Sequence, residues 1–252
     1  MLKYTNFNER YIMALKEIIY NNQPFRLSYE LVNPTQKESL LILHGWGSNK
    51  EIMKQAFSKM LSEYKHIYLD MPGFGNSSNE MILNTEDYGK IVKLFLEALG
   101  IHPKISMGHS FGGKVATLLG TPCLVLLSSA GVVTEKPWSV KVKIATFKLL
   151  KPLGIKKLRD IFRSADVQGM SHEMYETFKN VVDEDFEHEF ARSRSKALCF
   201  WGKEDTATPL YTGEKIAGLI PDSKFFPLDG DHYFFLKHSN FIAQTILEQC
   251  KD

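Results

Sequence analysis

The sequence predicts an α/β domain, a mostly parallel sheet flanked by helices. Two patterns carry that expectation. Short apolar runs recur at residues 39–44 (SLLILH), 66–69 (HIYL), 104–107 (KISM), 123–127 (CLVLL), 197–201 (ALCFW) and 224–228 (KFFPL). Several are apolar throughout, as strands buried on both faces are. Helical patterns separate them, at 50–62, 85–99, 111–119, 210–219 and 240–249. Strands alternating with helices imply right-handed crossovers and parallel pairing.

Two further segments precede the first of these runs. Residues 9–20 read as a helix. Residues 25–32 alternate apolar and polar between Pro24 and Pro34, which fits an antiparallel edge strand. From 132 to 195 the rhythm breaks: no strand is legible, and several helices are expected, with breaks at Pro152-Leu153-Gly154 and Gly169. The charge there is divided. Between Lys136 and Arg163, Lys141, Lys143, Lys148, Lys151, Lys156, Lys157 and Arg159 face only Asp160, whereas between Asp166 and Glu189, Glu173, Glu176, Asp183, Glu184, Asp185 and Glu187 face Lys179. The expected organisation is therefore a core at 1–131 and 196–252, interrupted by a helical insertion at 132–195.

Composition narrows the function. A chain of 252 residues with 44% hydrophobic and 24% charged residues is ordinary for a globular domain. A net charge of +2 gives no argument for nucleic acid. The first residues, MLKYTNFNER, hold no apolar stretch of the kind a secretory signal needs. Nor is there a run of about 18 apolar residues, so no membrane span is expected. The three cysteines, Cys123, Cys199 and Cys250, are scattered and odd in number. They suggest neither a disulfide framework nor a metal site, and a reducing, cytoplasmic setting fits them. Cys123 and Cys199 read as small core hydrophobes.

Ligands of open parallel sheets bind outside the carboxyl ends of the strands, so the residues after each apolar run are the candidates. After 104–107 comes GHSFGG, in which Ser110 sits between glycines where a strand turns into a helix. A nucleophile on so sharp a turn needs small neighbours, and the helix start offers amides to an oxyanion. After 39–44 comes Gly45-Trp46-Gly47-Ser48. Its turn is either a plain β-turn or a second oxyanion donor, the N–H of Trp46 joining that of Phe111. After 197–201 comes GKEDTATP, where Asp205 could orient an imidazole and Glu204 is its nearest rival. After 224–228 comes Asp229-Gly230-Asp231-His232. Of the eight histidines, His232 alone follows both a strand end and the candidate acid. His44 and His109 also lie at strand ends but precede Asp205, and are expected to shape the substrate site. The order Ser110, Asp205, His232 is nucleophile, acid, base.

These motifs, HGWGS (44–48), DMPGFGNSS (70–78), GHSFGG (108–113), GKEDTATP (202–209) and DGDHYFF (229–235), resemble the α/β-hydrolase superfamily over nearly the whole chain. The HGWG and PGFG pair is similar to lidded esterases that include the pimeloyl-carrier-protein methyl ester esterases. The resemblance implies the α/β-hydrolase fold, with a helical lid inserted after that fold's sixth strand, here after residues 124–128. It implies a Ser110–His232–Asp205 triad and a Trp46/Phe111 oxyanion hole, with no metal or organic cofactor. The lid stretch MYETFKNVVDEDF (174–186) resembles a subgroup of bacterial hydrolases whose substrates are not assigned. The segment from 111 to 124 is short for the superfamily, so the helix after Ser110 should be stubby.

A serine ester hydrolase acting on a small-molecule ester or thioester is thus expected. The alternatives are a carbon–carbon bond hydrolase acting on a dienoate and a catalytically silent binding protein. Carbon–carbon hydrolases of this fold usually carry asparagine where His109 stands and tryptophan where Tyr233 follows His232. Trp138, Phe147 and Tyr233 are candidate substrate contacts. Trp138 and Phe147, with Leu149, Leu150, Ile161 and Phe162, either line an acyl pocket or pack the lid on the core. The basic run is either a solvated face paired with the acidic half or a patch that steers an anionic substrate. An ester borne by an acidic acyl carrier protein would be one such substrate.

Overall fold

The computed structural model describes residues 11–134 and 170–250. Among them, eight strands form one sheet: β1 (Tyr11–Tyr20), β2 (Gln23–Val32), β3 (Ser39–Leu43), β4 (Lys65–Leu69), β5 (Ile105–His109), β6 (Cys123–Leu127), β7 (Lys196–Gly202) and β8 (Ser223–Leu228). Their order is β1-β2-β4-β3-β5-β6-β7-β8. The β1–β2 and β2–β4 pairs are antiparallel and all the others parallel. This is the α/β-hydrolase fold. Strands β3, β5 and β6 are buried at every residue, which is why they read as unbroken apolar runs.

Helices cover both faces. Leu40, Ile42, Met107, Val125 and Phe200 pack under α1 (Lys50–Phe57) and α7 (Phe235–Gln249). The alternate strand residues, among them Leu41, Leu43, Leu124, Leu126 and Trp201, pack under α2 (Thr85–Leu99), α3 (Phe111–Thr117) and α6 (Leu210–Leu219). Helix α2 is set by its ends: Asn84 and Asp87 form a reciprocal capping box, and Gly100 closes it in the left-handed region. Between β6 and β7 lie α4 (His172–Val182) and α5 (Glu187–Arg192). Trp138, Phe147, Leu149, Leu150, Ile161, Phe162 and the lysines of the basic run fall outside the described residues. None of the described helices is long and apolar enough to cross a membrane.

Besides the segment at 25–32, which is not an edge strand but lies inside the sheet as β2 because β1 covers its outer side, two expectations are corrected. Residues 9–20 were expected to be helical, but the described part of that segment is β1, an outer strand of the sheet. Asn21 and Asn22 both adopt positive φ, 49° and 60°, and so turn β1 directly into β2 with Tyr20 opposite Gln23. Asparagine tolerates that conformation, and a two-residue turn of this hand matches the twist of the strands. Ile18 is buried while Leu15 and Ile19 are exposed. Secondly, Cys123 and Cys250 form a disulfide, with Cα atoms 6.0 Å apart. It joins the start of β6 to the residue that follows α7. Cys199 is left free and buried, its thiol pushed up to about 12 by burial. An odd cysteine count allows one bridge, so the cysteine argument for a reducing setting loses its basis.

Helix boundaries moved as well. Helix α1 stops at Phe57, and α7 starts at Phe235 and is kinked at His238. Helix α3 is seven residues long, as stubby as expected.

Candidate active site

Ser110 stands between β5 and α3 at φ 51° and ψ −118°, a left-handed conformation that a non-glycine residue adopts only when its surroundings enforce it. Its amide donates to Leu127 O (3.0 Å), and its carbonyl accepts from Gly113 N and Ala130 N, each at 3.0 Å. Its side chain makes no capping bond to α3, so the hydroxyl is not spent on the helix. Close approach explains the glycines. A Cβ at Gly108 would lie 2.1 Å from Gly112 O, and one at Gly45 would lie 3.1 Å from Ser110 Cβ. Gly45, the residue before Trp46, therefore packs directly against His109 and Ser110. Phe111 opens α3, so its N–H is one of the first-turn amides without a partner inside the helix.

Asp205 and His232 meet at the ends of β7 and β8. His232 Nδ1 donates to Asp205 Oδ2 at 2.7 Å. The same oxygen accepts from Thr208 Oγ1 (2.8 Å), while Oδ1 accepts from Ala207 N (2.8 Å) and Thr208 N (2.9 Å). Burial alone would raise the Asp205 carboxyl, but the bonds from His232 and Thr208 outweigh it and hold the group at about 2. With its proton directed at Asp205, the neutral ring of His232 carries its lone pair on Nε2. Glu204 does not enter this pair. It is exposed and accepts a short bond from Gly230 N, bracing the turn before His232.

The two other strand-end histidines sit behind the site. His44 is buried, donates from Nδ1 to Gly45 O (2.8 Å) and accepts at Nε2 from Met71 N (3.1 Å). Both nitrogens are engaged with backbone, which leaves neither for a substrate. His109 is also buried, and its Nε2 donates to His232 O at 2.9 Å. The two rings lie 4.5 Å apart. Tyr233 is 40% exposed at the rim, with its ring 5.6 Å from that of His232. Behind the Trp46 turn, buried Asp70 accepts from Lys50 N (2.8 Å) and Lys50 Nζ (2.7 Å), and Phe74 packs edge-on against Trp46. Burial would raise Asp70, but the bonds from Lys50 and Asn76 hold it below the usual carboxylate range.

Burial lowers His44 to about 4 and His109 to about 3, from 6.5. The unfolded chain therefore binds protons at these positions before the folded one does, and stability is lost as pH falls below 6.5 toward those values. The melting temperature should drop between about pH 7 and about pH 5. His109→Gln, which can still donate to the His232 carbonyl, should flatten that drop in thermal melts. A variant slope equal to the wild type's would contradict this assignment.

The structure thus brings Asp205 and His232 into contact at the ends of β7 and β8, and places Trp46 after β3 and Ser110 with Phe111 after β5, at the same edge of the sheet with β6 between the two groups. Sequence reasoning passed over Thr208, which bonds Asp205 through both its amide and its hydroxyl. The signal was present in DTAT, since an aspartate with a threonine three residues on commonly closes a turn of this kind.

A family model described as the alpha/beta hydrolase fold matches residues 38–120. The chain is 23% identical over 243 residues to a pimeloyl-[acyl-carrier protein] methyl ester esterase of Vibrio campbellii, covering 83% of this chain and 94% of the relative. It is 25% identical over 252 residues to a 2-hydroxy-6-oxononadienedioate/2-hydroxy-6-oxononatrienedioate hydrolase of Paraburkholderia phymatum, covering 84% and 86%. Among solved structures, an esterase from Exiguobacterium antarcticum superposes with a TM-score of 0.71 at 20% identity, covering 90% of this chain and 96% of that one. The relatives thus include both a methyl ester esterase and a dienedioate/trienedioate hydrolase.

Proposed function

We propose that this member of the α/β-hydrolase superfamily is a serine hydrolase that cleaves a carboxylic ester or thioester through an acyl-enzyme. The observation that carries the reading is the bond from part-exposed His232 to buried Asp205 at the strand ends, near the left-handed turn of Ser110. His232 Nε2 takes the proton of Ser110 as Oγ attacks the carbonyl carbon. The N–H groups of Trp46 and Phe111 hold the oxyanion of the tetrahedral intermediate. The imidazolium returns its proton to the departing alcohol or thiol, leaving the acyl group on Ser110. Water then gives a proton to His232 and attacks the acyl carbon. Collapse releases the acid, and the proton returns to Ser110. Asp205 holds the ring in the required tautomer and stabilises its cationic form. No metal or organic cofactor takes part in these steps.

We read residues 132–195 as a lid over this site and the core as 1–131 with 196–252. The likeness to the carrier-protein methyl ester esterases supports an ester that is either free or borne on an acidic carrier. Dienoate cleavage is the second reading, favoured by the relative from Paraburkholderia phymatum. Against it stand His109, whose Nε2 is taken by the His232 carbonyl, and Tyr233 after the proposed base.

Stopped-flow hydrolysis of p-nitrophenyl acetate tests the reading. A burst of p-nitrophenol equal to the enzyme concentration should precede steady turnover. Absence of any release would make the chain a silent binding protein. Faster turnover of a ring-cleavage dienoate than of any ester would move it to carbon–carbon chemistry.

A further inference from the structure

Residues 174–186 (MYETFKNVVDEDF) make a set of contacts that the hydrolytic steps do not use. Met174 packs on Gly73, where a Cβ would lie 2.2 Å from its sulfur. Thr177 Oγ1 accepts from Leu83 N (2.9 Å), and Asn180 Nδ2 donates to Leu83 O (3.1 Å). Phe178 lies on Trp46 with ring centroids 5.4 Å apart. At the end of α4, Lys114 Nζ donates to Val181 O and to Glu184 Oε2, each at 2.7 Å. Glu184 also accepts a short bond from Thr85 Oγ1, and Phe186 N donates to Gly131 O at 2.9 Å. The opposite side of α4 carries a solvated pair, Lys179 with Glu176.

Lys114 is the centre of this arrangement. It lies on α3, four residues after Ser110, and its side chain is only 1% exposed. Its ammonium is also 5.5 Å from the Phe111 ring and 5.6 Å from that of Phe186. Burying an ammonium costs too much to serve general adhesion, and such pairs are better suited to fixing one register among alternatives. Here Lys114 joins the helix that follows the proposed nucleophile to the last turn of α4, through Val181 O, and to Glu184 just beyond that helix. Phe178, one turn before Val181, is thereby held against Trp46. Trp46 also packs edge-on against Phe111, with ring centroids 5.5 Å apart, so Phe178 adjoins the two residues whose amides are the proposed oxyanion donors.

We infer that residues 174–186 form a fixed specificity wall, in which Phe178 meets the acyl chain and the Lys114–Glu184 pair locks the wall's register on the nucleophile helix. The inference rests on the serine ester hydrolase reading. Lys114 and Glu184 are positioning residues and touch no reacting atom.

The test compares kcat/KM for p-nitrophenyl octanoate and p-nitrophenyl acetate, in variants first shown to react with a fluorophosphonate and so to keep Ser110 assembled. Phe178→Ala should lower the octanoate-to-acetate ratio by about tenfold, the scale on which lost apolar contact changes discrimination. Lys114→Met and Glu184→Gln should lower it in the same direction. The double variant should go no further than the larger single effect, because both changes release one lock. An unchanged ratio in reactive Phe178→Ala would overturn the inference, as would additive effects of the lock variants. An unmodified chain that hydrolyses neither ester would instead remove the hydrolase reading, and the inference with it.

Discussion

Ser110→Ala should lose about 10⁶-fold in kcat toward p-nitrophenyl acetate while its melting curve overlies the wild type's. The loss is large because the substitution removes the atom that bonds to the substrate, and His232 then has no hydroxyl to activate. Whatever rate remains comes from the oxyanion donors acting on bound ester and water. The fold should be indifferent. The backbone bonds to Leu127, Gly113 and Ala130 do not involve the hydroxyl, and alanine faces the same φ of 51° as serine. Steady-state hydrolysis and thermal melts of the two proteins check both halves. A fall of less than about 100-fold would mean that another group attacks the ester.

Asp205→Asn should reduce kcat by about 10⁴-fold. The carboxylate accepts four hydrogen bonds: two from backbone amides at Oδ1 and two, from Thr208 and His232, at Oδ2. Asparagine can serve the amides with its single oxygen, but then turns an NH₂ toward His232 Nδ1. The ring must accept there, so its proton moves to Nε2 and no lone pair faces Ser110. Substrate affinity should change little, so the loss should appear in kcat. Glu204→Gln should stay close to wild type, because the Glu204 carboxylate accepts from Gly230 N while the imidazole bonds Asp205. The reverse ranking of these two variants would make Glu204 the acid.

What the sequence revealed, and what it hid, follows from the range of the forces involved. Strands β3 to β7 were legible because near-complete burial leaves a largely apolar run, and β8, which is only partly buried, because KFFPL is still mostly apolar; Ser110, Asp205 and His232 could be singled out as candidates because each follows such a run. Strand β1 was missed, since an edge strand with exposed Leu15 and Ile19 has a diluted period, and its deciding signal was the Asn21-Asn22 turn. The disulfide was missed because its cysteines are 127 residues apart and only the fold brings them together. His44 and His109 have the strand-end placement of site residues, yet their rings face the backbone of neighbouring loops, a choice that spacing does not encode. The same holds for Lys114, whose burial depends on Glu184, 70 residues away. Thr208 differs: its turn with Asp205 is local and was readable.

The most direct test of the central claim is to label the protein with a fluorophosphonate and locate the adduct by peptide mass mapping. The account predicts one adduct per chain, on Ser110, with its formation slowed strongly in Asp205→Asn. An adduct on any other residue, or labelling of Ser110 at the same rate in Asp205→Asn as in the wild type, would contradict it.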